Sequence, residues 1–508
     1  RRTRPAAMIK AILAVDSGTT ASKSAVVSMS GRLLGLGRVP VITRFGPGGR
    51  AQQDPEEILS AQRRAIRDAL DSAGRVEIVA AGITSQRSTF VIWDRKTGRS
   101  TAQAPTWQDT SAADVCLSLQ REAGLVRRLS GLPLSPHYSG SKIPRVLRQA
   151  YKAGGREAGR DLCFGSVATW LLWRLTRERV HATEPTQAAR SLLMNLSSLR
   201  GDDRLLSMFH VPRSILPEIR PGIGSFGTIS VGAREVPVLA SLGDQQAALF
   251  SHAGMSSERR ERTALVNYGT GAFVLIPTGE RRTSRPGLLS SIAWTTASDR
   301  RYLLEGTVNA AGATLDWLRR EFGAPDRLDA IDALCREATG DCLMLPAFWR
   351  LGSMWSEKGG KTLPSLILNA GPDGALCALT RAAVESLAIM VGEILAAAAS
   401  PTSRAVKRVL LTGPLSGLRY LAEFQAAVCA PLRVEVSRAR EATLMGIARA
   451  AAFGLGGDVS RAASRWVTPG TIVRPNNALV REAADRQQRW MRLYRLARRL
   501  GDGTERGQ

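Results

Sequence analysis

The chain opens on an apolar segment, Ala11 to Val15, that runs into Asp16-Ser17-Gly18-Thr19-Thr20 and is followed by Val26-Val27. This pattern predicts strand, tight turn, strand, and the alternation continues to about residue 45 as a β-meander. Gln53-Asp54-Pro55 then opens a helix, with Asp54 as N-cap, Pro55 at the first helical position and apolar residues at 58, 59, 66, 69 and 70. Ile78–Ile83 and Phe90–Trp93 read as strands, with a hairpin turn at Asp94–Gly98. Strands and helices alternate from there to about residue 250, the pattern of an α/β domain.

A second α/β region is expected from about Arg262 to 456. Ala264–Tyr268 reads as a strand ending in Gly269-Thr270-Gly271, 381–399 as a helix rich in alanine and leucine, and 407–413 as a strand. A charged stretch over 252–260 marks the boundary. The expected organisation is a basic arm (1–10), a first lobe (11–255), a second lobe (256–456) and a C-terminal extension (457–508), with a cleft between the lobes. The last element, 478–500, is a basic amphipathic helix with Leu479, Ala483, Trp490, Leu493 and Leu500 on one face. It reads as a helix docked on the second lobe, with a nucleic-acid or partner helix as the alternative.

The composition narrows the class. The 508 residues are 44% hydrophobic, without an uninterrupted apolar run long enough to span a bilayer. Six cysteines lie far apart with no CxxC, and four scattered histidines form no metal-ligand spacing. Unpaired thiols favour a reducing compartment, the cytoplasm or alternatively a mitochondrial or other organelle matrix. Net charge is +26; eight of the 70 basic residues are lysine and 62 are arginine. Two readings stay open: an arginine-favouring coding sequence, or a polyanion partner such as RNA, a ribonucleoprotein or an anionic membrane surface. The first ten residues carry four basic and no acidic side chains, which reads as a processed end, a targeting remnant or residues preceding a start at Met8.

The chemistry-bearing residues fall in the turns. Gly18 permits a tight turn, and Thr19, Thr20 and the turn amides offer donors to a phosphate. Asp16 could hold a hydrated Mg²⁺. Gln86-Arg87, Trp107-Gln108-Asp109 and Gly243-Asp244-Gln245-Gln246 each follow an expected strand, where open α/β sheets place ligands. A carboxylate at Asp244 could take a proton from a hydroxyl attacking phosphorus. Arg87 could donate to substrate hydroxyls, and Trp107 could offer a flat apolar wall. Two generic nucleotide patterns fail on context. Gly222–Gly227 matches GxGxxG but is followed by a strand pattern, and Gly360-Lys361-Thr362 has Trp355 where a P-loop needs glycine.

The order of these motifs resembles the FGGY carbohydrate kinases, and within them the glycerol kinases. The resemblance is carried by DSGTT (16–20), GITSQR (82–87), WDRKTG (93–98), TWQD (106–109), SGSK (139–142), GDQQAALF (243–250), NYGTGAF (267–273) and YLLEGTVNAAGATLDWLR (302–319), collinear from residue 11 to about 455. It implies two actin-like, ribonuclease-H-related lobes closing on ATP, Mg²⁺ and a small polyol. It further implies Asp244 as catalytic base, with Asp16 and Asp244 associated with Mg²⁺ mainly through water. Thr19, Thr20, Ser22, Thr270, Gly312 and Gly413 would lie on the nucleotide, and Arg87, Trp107, Asp244 and Phe273 on the polyol. A homodimer or larger assembly stays open.

Some positions depart from that pattern. Ser88 stands where an acidic polyol ligand is expected, His137 where a tyrosine is, and Lys23 where an arginine is. On the adenosine side an Asp-Gly-Gly turn reads Thr412-Gly413-Pro414, an asparagine is Leu418, a glutamine is Asp316, and the loop Trp349–Trp355 is rewritten. These changes motivate a second reading, a catalytically impaired member of the family retained as a structural or binding subunit.

Overall fold

Two sheets of the same design face each other across a pair of helices in the computed structural model. The structure describes residues 8–154, 161–253, 263–348, 351–355, 363–371, 375–399, 406–439, 441–466 and 469–503. The basic arm up to residue 7, most of the charged stretch between the lobes, Trp349-Arg350 and Gly360-Lys361-Thr362 lie outside the described residues.

The first sheet contains β1 (Ile9–Ser17), β2 (Ala21–Ser28), β3 (Leu33–Pro40), β4 (Val76–Ser85), β5 (Thr228–Val231) and β6 (Arg234–Gly243). Their spatial order is β5-β6-β4-β1-β2-β3. β1, β2 and β3 form the expected antiparallel meander, with Asp16 opposite Lys23 and Ser17 opposite Ser22. β4 runs parallel to both β1 and β6. The Asp54 carboxylate accepts from the Glu56 amide at 2.8 Å and so caps α1 (Pro55–Ala73), whose Ile58 and Ala69 pack with Leu13 and Val15. The strand Phe90–Asp94 pairs with Leu162–Ser166 outside the main sheet. Thr228–Val231 is a strand, which bears out the rejection of the GxGxxG pattern.

The second sheet repeats this plan with β7 (Thr263–Tyr268), β8 (Ala272–Gly279), β9 (Leu289–Thr295), β10 (Arg300–Val308), β11 (Arg408–Thr412), β12 (Arg433–Val436) and β13 (Thr471–Val473). The order is β9-β10-β8-β7-β11-β12-β13, with β7, β11 and β12 parallel. Helices α2 (Asp244–Ala253) and α6 (Ala442–Leu455) lie between the sheets. One core joins Ile12 and Leu242, Ala247 and Phe250, Ile447 and Ala451, and Leu265 and Leu410. Removing this much apolar surface from water is what holds the halves together.

Between α2 and α6 in the chain come α3 (Gly312–Phe322), α4 (Ala375–Ala398) and α5 (Arg419–Val428). Helix α4 starts six residues before the expected 381, because Leu379 and Ala378 already belong to the apolar stripe. The terminal helix α7 (Asn477–Gly503) docks on the second lobe through Ala483, Trp490, Leu493 and Ala497, all buried. Leu500 corrects the expectation: it is 49% exposed, because Arg498, Arg499 and Leu500 all face solvent and the buried stripe reaches only to Ala497. Among the described residues, no helix is long and apolar enough to cross a membrane.

Candidate active site

The carboxyl ends of β1, β4 and β6 deliver Asp16, Gln86-Arg87 and Asp244 to one edge of the first sheet. The ends of β7 and β11 deliver Gly269-Thr270-Gly271 and Gly413 from the second. A parallel sheet places strand termini side by side, so residues far apart in sequence meet.

The first hairpin is a closed turn, with the Gly18 amide donating to the Ala21 carbonyl at 3.0 Å. Thr19 lies beneath it. Its hydroxyl donates to Gln86 Oε1 at 3.1 Å and accepts from Trp107 Nε1 at 2.9 Å, which fixes the indole beside the turn. Thr20 is exposed, and Ser22 is buried with its hydroxyl unpartnered. Lys23 Nζ reaches Glu441 at 2.8 Å, at the start of α6.

Asp244 is the first residue of α2. Its Oδ1 accepts from the Gln245 amide at 2.8 Å, and Arg87 Nε lies 3.3 Å from the same oxygen. Arg87 is held in turn by Glu305 of the second lobe, through two bonds of 2.9 Å. The guanidinium also lies 5.9 Å from the Phe273 ring. Arg190 donates to Glu305 Oε2, the oxygen that also accepts from Arg87 Nη1. Burial acts to raise Glu305, but Arg190 and Arg87 outweigh it and hold the carboxyl at about 2. Gln245 accepts from Asn267 at 3.0 Å, a further link between lobes.

The two aspartates are pushed the other way. Burial, then the charge of Asp244, raises Asp16 to about 7, with Lys23 acting against them. Burial raises Asp244 against the pull of Arg87. Asp16 Oδ1 is buried and has no partner. An unpartnered carboxylate oxygen facing a second carboxylate suits a divalent cation.

Across the cleft, the 269–271 turn is clamped to the start of α3. The Gly312 amide donates to the Gly269 carbonyl at 3.0 Å and the Ala313 amide to Thr270 at 3.1 Å. A Cβ at Gly312 would stand 2.9 Å from that carbonyl, so glycine permits the approach. Gly413 has φ +85°, and a Cβ there would stand 2.4 Å from the Tyr268 carbonyl. Pro414 starts a short 3₁₀ turn, where the missing amide costs little. Leu418 is fully buried in the second core, and the exposed Asp316 is paired with Arg319 at 2.6 Å.

His137 sits 5.5 Å from the Trp107 ring, and burial followed by the Lys142 charge lowers it to about 3. Ser88 is 3% exposed with φ +66°. The structure thus brings Asp16, Thr19, Arg87, Trp107, Asp244 and Phe273 together, with Thr270 and Gly312 forming a second cluster and Gly413 a turn beside it. Glu305 and Arg190 belong to the first group but were missed. Glu305 did leave a signal, a lone carboxylate inside the apolar run Leu303-Leu304-Glu305-Gly306, where a buried charge requires partners.

Comparisons with known proteins agree with this architecture. Residues 11–251 match the FGGY family of carbohydrate kinases, N-terminal domain, and 264–455 match its C-terminal domain. A glycerol kinase of Thermus brockianus is 36% identical over 459 residues, covering 88% of this chain and 90% of that protein. One from Shewanella frigidimarina (strain NCIMB 400) is 33% identical over 457 residues, with coverage of 88% and 90%. Among solved structures, Plasmodium falciparum glycerol kinase with ADP shares the fold at a TM-score of 0.81 and 21% identity, covering 96% of this chain and 98% of that one. Xylulose kinase from Rhodospirillum rubrum does so at 0.81 and 18%, covering 97% and 100%. The chain belongs to the FGGY family of carbohydrate kinases, ATP-dependent phosphotransferases built of two actin-like lobes.

Proposed function

We propose that the protein transfers the γ-phosphoryl group of ATP to a hydroxyl of glycerol or a comparable small polyol or sugar, with Asp244 as the general base. The observation that carries this reading is the chain Asp244–Arg87–Glu305, which holds a carboxylate at the cleft edge in a fixed orientation. Asp244 takes the proton of the attacking hydroxyl as its oxygen approaches phosphorus. Trp107 and Phe273 flank the carbon skeleton and exclude water. Thr19, Thr20, Ser22 and the turn amides receive the phosphates on one side, and Thr270 with the start of α3 does so on the other. Gly413 leaves room at the nucleotide side. Asp16, with Asp244, fits Mg²⁺, which when bound neutralises charge on the phosphates. Most of the acceleration in such transfers comes from positioning and electrostatics.

The test is phosphorylation of glycerol, xylulose, gluconate and longer polyols with ATP and with GTP, beside calorimetric titration of Mg·ATP. Turnover of at least one acceptor with ATP, lost in Asp244→Asn, is expected. Millimolar-or-weaker Mg·ATP binding with no turnover on any acceptor overturns the reading and returns the binding-subunit alternative.

A further inference from the structure

Lys142, in the first turn of the helix Ser139–Gly154, is 1% exposed. All three hydrogen bonds of its ammonium go to main-chain carbonyls: Thr106 at 2.7 Å, Asp109 at 3.2 Å and His137 at 3.5 Å. A lysine carries three donors, so this set saturates it. The Asp109 carboxylate is engaged elsewhere. It accepts from the Ala51 amide at 2.9 Å and from the Ser111 amide and hydroxyl at 3.0 and 2.6 Å.

The three carbonyls lie on two loops that meet at the proposed acceptor wall. Residues 106–109 carry Trp107, and 135–138 carry His137, whose ring packs 5.5 Å from the indole. Thr19 holds the indole edge at 2.9 Å, and Thr89 Oγ1 holds the Trp107 amide at 3.1 Å. Both of those bonds end on Trp107 itself. Lys142 bonds both loops at once and so sets their spacing.

Burial lowers Lys142 to about 8, against the upward pull of Asp109 and then Cys116. An unfolded lysine titrates near 10.4, so the ammonium costs the fold stability below about pH 8, and the cost is relieved as pH rises toward 10.4. A methionine of similar length carries no such penalty. A charge held at a cost to the fold has its role in placement.

We propose that Lys142 is a positioning residue for the acceptor. By gripping carbonyls of both loops it fixes the gap between Trp107 and His137, and with it the fit of a carbon skeleton against the indole. This rests on the placement of the acceptor at Trp107 proposed above. Loss of the proton leaves two hydrogens and removes the charge that strengthens each bond, so acceptor binding weakens as pH rises through about 8. The titratable and charged groups around Lys142 are Asp109, Asp114, Cys116, His137, Tyr138 and Arg145. Burial raises the thiol to about 11, raises the phenol and lowers the imidazole to about 3, so all three stay neutral across that window.

Glycerol, xylulose, gluconate and xylitol are titrated calorimetrically into the full chain from about pH 7.5 to 9.5, on either side of the lysine's transition, with turnover on Mg·ATP followed over the same range. Lys142→Met is expected to weaken acceptor binding roughly tenfold, seen as a raised acceptor KM with kcat changed less and the KM for Mg·ATP unaltered. Its melting midpoint stays close to wild type, because the relieved desolvation offsets the lost hydrogen bonds. The wild-type acceptor Kd rises several-fold across the pH range, and that of Lys142→Met stays flat. An acceptor Kd equal in variant and wild type overturns the proposal. So does a KM raised equally for acceptor and nucleotide, the mark of general loosening. If Lys142→Met does not fold, the wild-type series decides, and a flat acceptor Kd overturns the proposal. Acceptor binding that follows the expected pattern without turnover overturns the kinase reading alone, and binding of none of the four probes overturns both.

Discussion

Glu305 grips Arg87 from the opposite lobe through two bonds of 2.9 Å, across 218 residues of sequence. Arg87 in turn faces Asp244 at 3.3 Å, so the orientation of the proposed base depends on a carboxylate of the other lobe. A buried charge with two cationic partners is costly to remove, because both cations are then left uncompensated. Glu305→Gln is expected to lower unfolding free energy by about 3–5 kcal/mol, read by urea denaturation, and to reduce kcat more than it raises KM. A change below about 1 kcal/mol would show that Arg87 and Arg190 are stabilised by something other than this pair.

Asp244→Asn tests the base directly. The amide keeps the shape, and its Oδ1 can still accept from the Gln245 backbone amide, but it cannot accept the proton. Turnover should fall by about 10²–10⁴-fold, with acceptor binding retained by calorimetry. Equal turnover in variant and wild type would remove Asp244 from the chemistry.

Asp16 makes a pH prediction. Its folded pKa is raised to about 7, chiefly by burial, whereas an unfolded aspartate titrates near 3.9. Between these values the folded state binds the extra proton, so stability falls as pH rises from about 4 to 7. Asp16→Asn removes that penalty. Its melting midpoint should exceed wild type by more at pH 8 than at pH 5, while turnover is lost. An equal shift at both pH values would mean that the carboxyl is not raised.

The sheets and their catalytic edges were legible because strand ends are written locally: an apolar run, then glycine with an acid or hydroxyl, as at Asp16-Ser17-Gly18 and Gly243-Asp244. Arg87 was legible as a site residue, but its role as the link between Glu305 and Asp244 was not. No local pattern pairs residues 87 and 305; only β10 crossing the second sheet does so. Leu418 was read as a missing polar contact on the nucleotide side. It lies in the core, where an apolar side chain gains burial. Sequence alone could not show which way that side chain points. The Leu500 misreading has the same origin, since periodicity predicts a face but not where the body beneath it ends.

Lys23 and Glu441 separate a structural from a nucleotide-binding role. The pair is 2.8 Å long, with side chains 25% and 19% exposed, so its net contribution to stability is about 0–1 kcal/mol. Its charge nevertheless sits on the hairpin proposed to bind phosphates. Lys23→Ala should therefore raise the KM for ATP roughly tenfold, the effect of about 1.4 kcal/mol, and leave the melting midpoint nearly unchanged. Lys23→Arg should recover most of the loss. A large loss of stability with unaltered KM would make the pair purely structural.

The terminal helix offers the cleanest contrast between a buried and a solvated face. Trp490 is fully buried, donates from Nε1 to the Met344 carbonyl at 2.8 Å and meets the Trp355 ring edge-on at 6.3 Å. Four residues earlier, Arg486 is also buried, donating to Glu385 and, at 2.7 Å, to the Cys342 carbonyl. Trp490→Ala leaves a cavity and takes away one of two side-chain donors to the Met344 carbonyl, the other being Ser386 Oγ, and should cost about 3–5 kcal/mol in urea denaturation. Leu500→Ser, at an exposed position, should stay within about 0.5 kcal/mol of wild type. If the two substitutions cost the same, the helix is not docked through the Ala483–Ala497 stripe, and its arginines would have to be re-examined as the side that meets a partner.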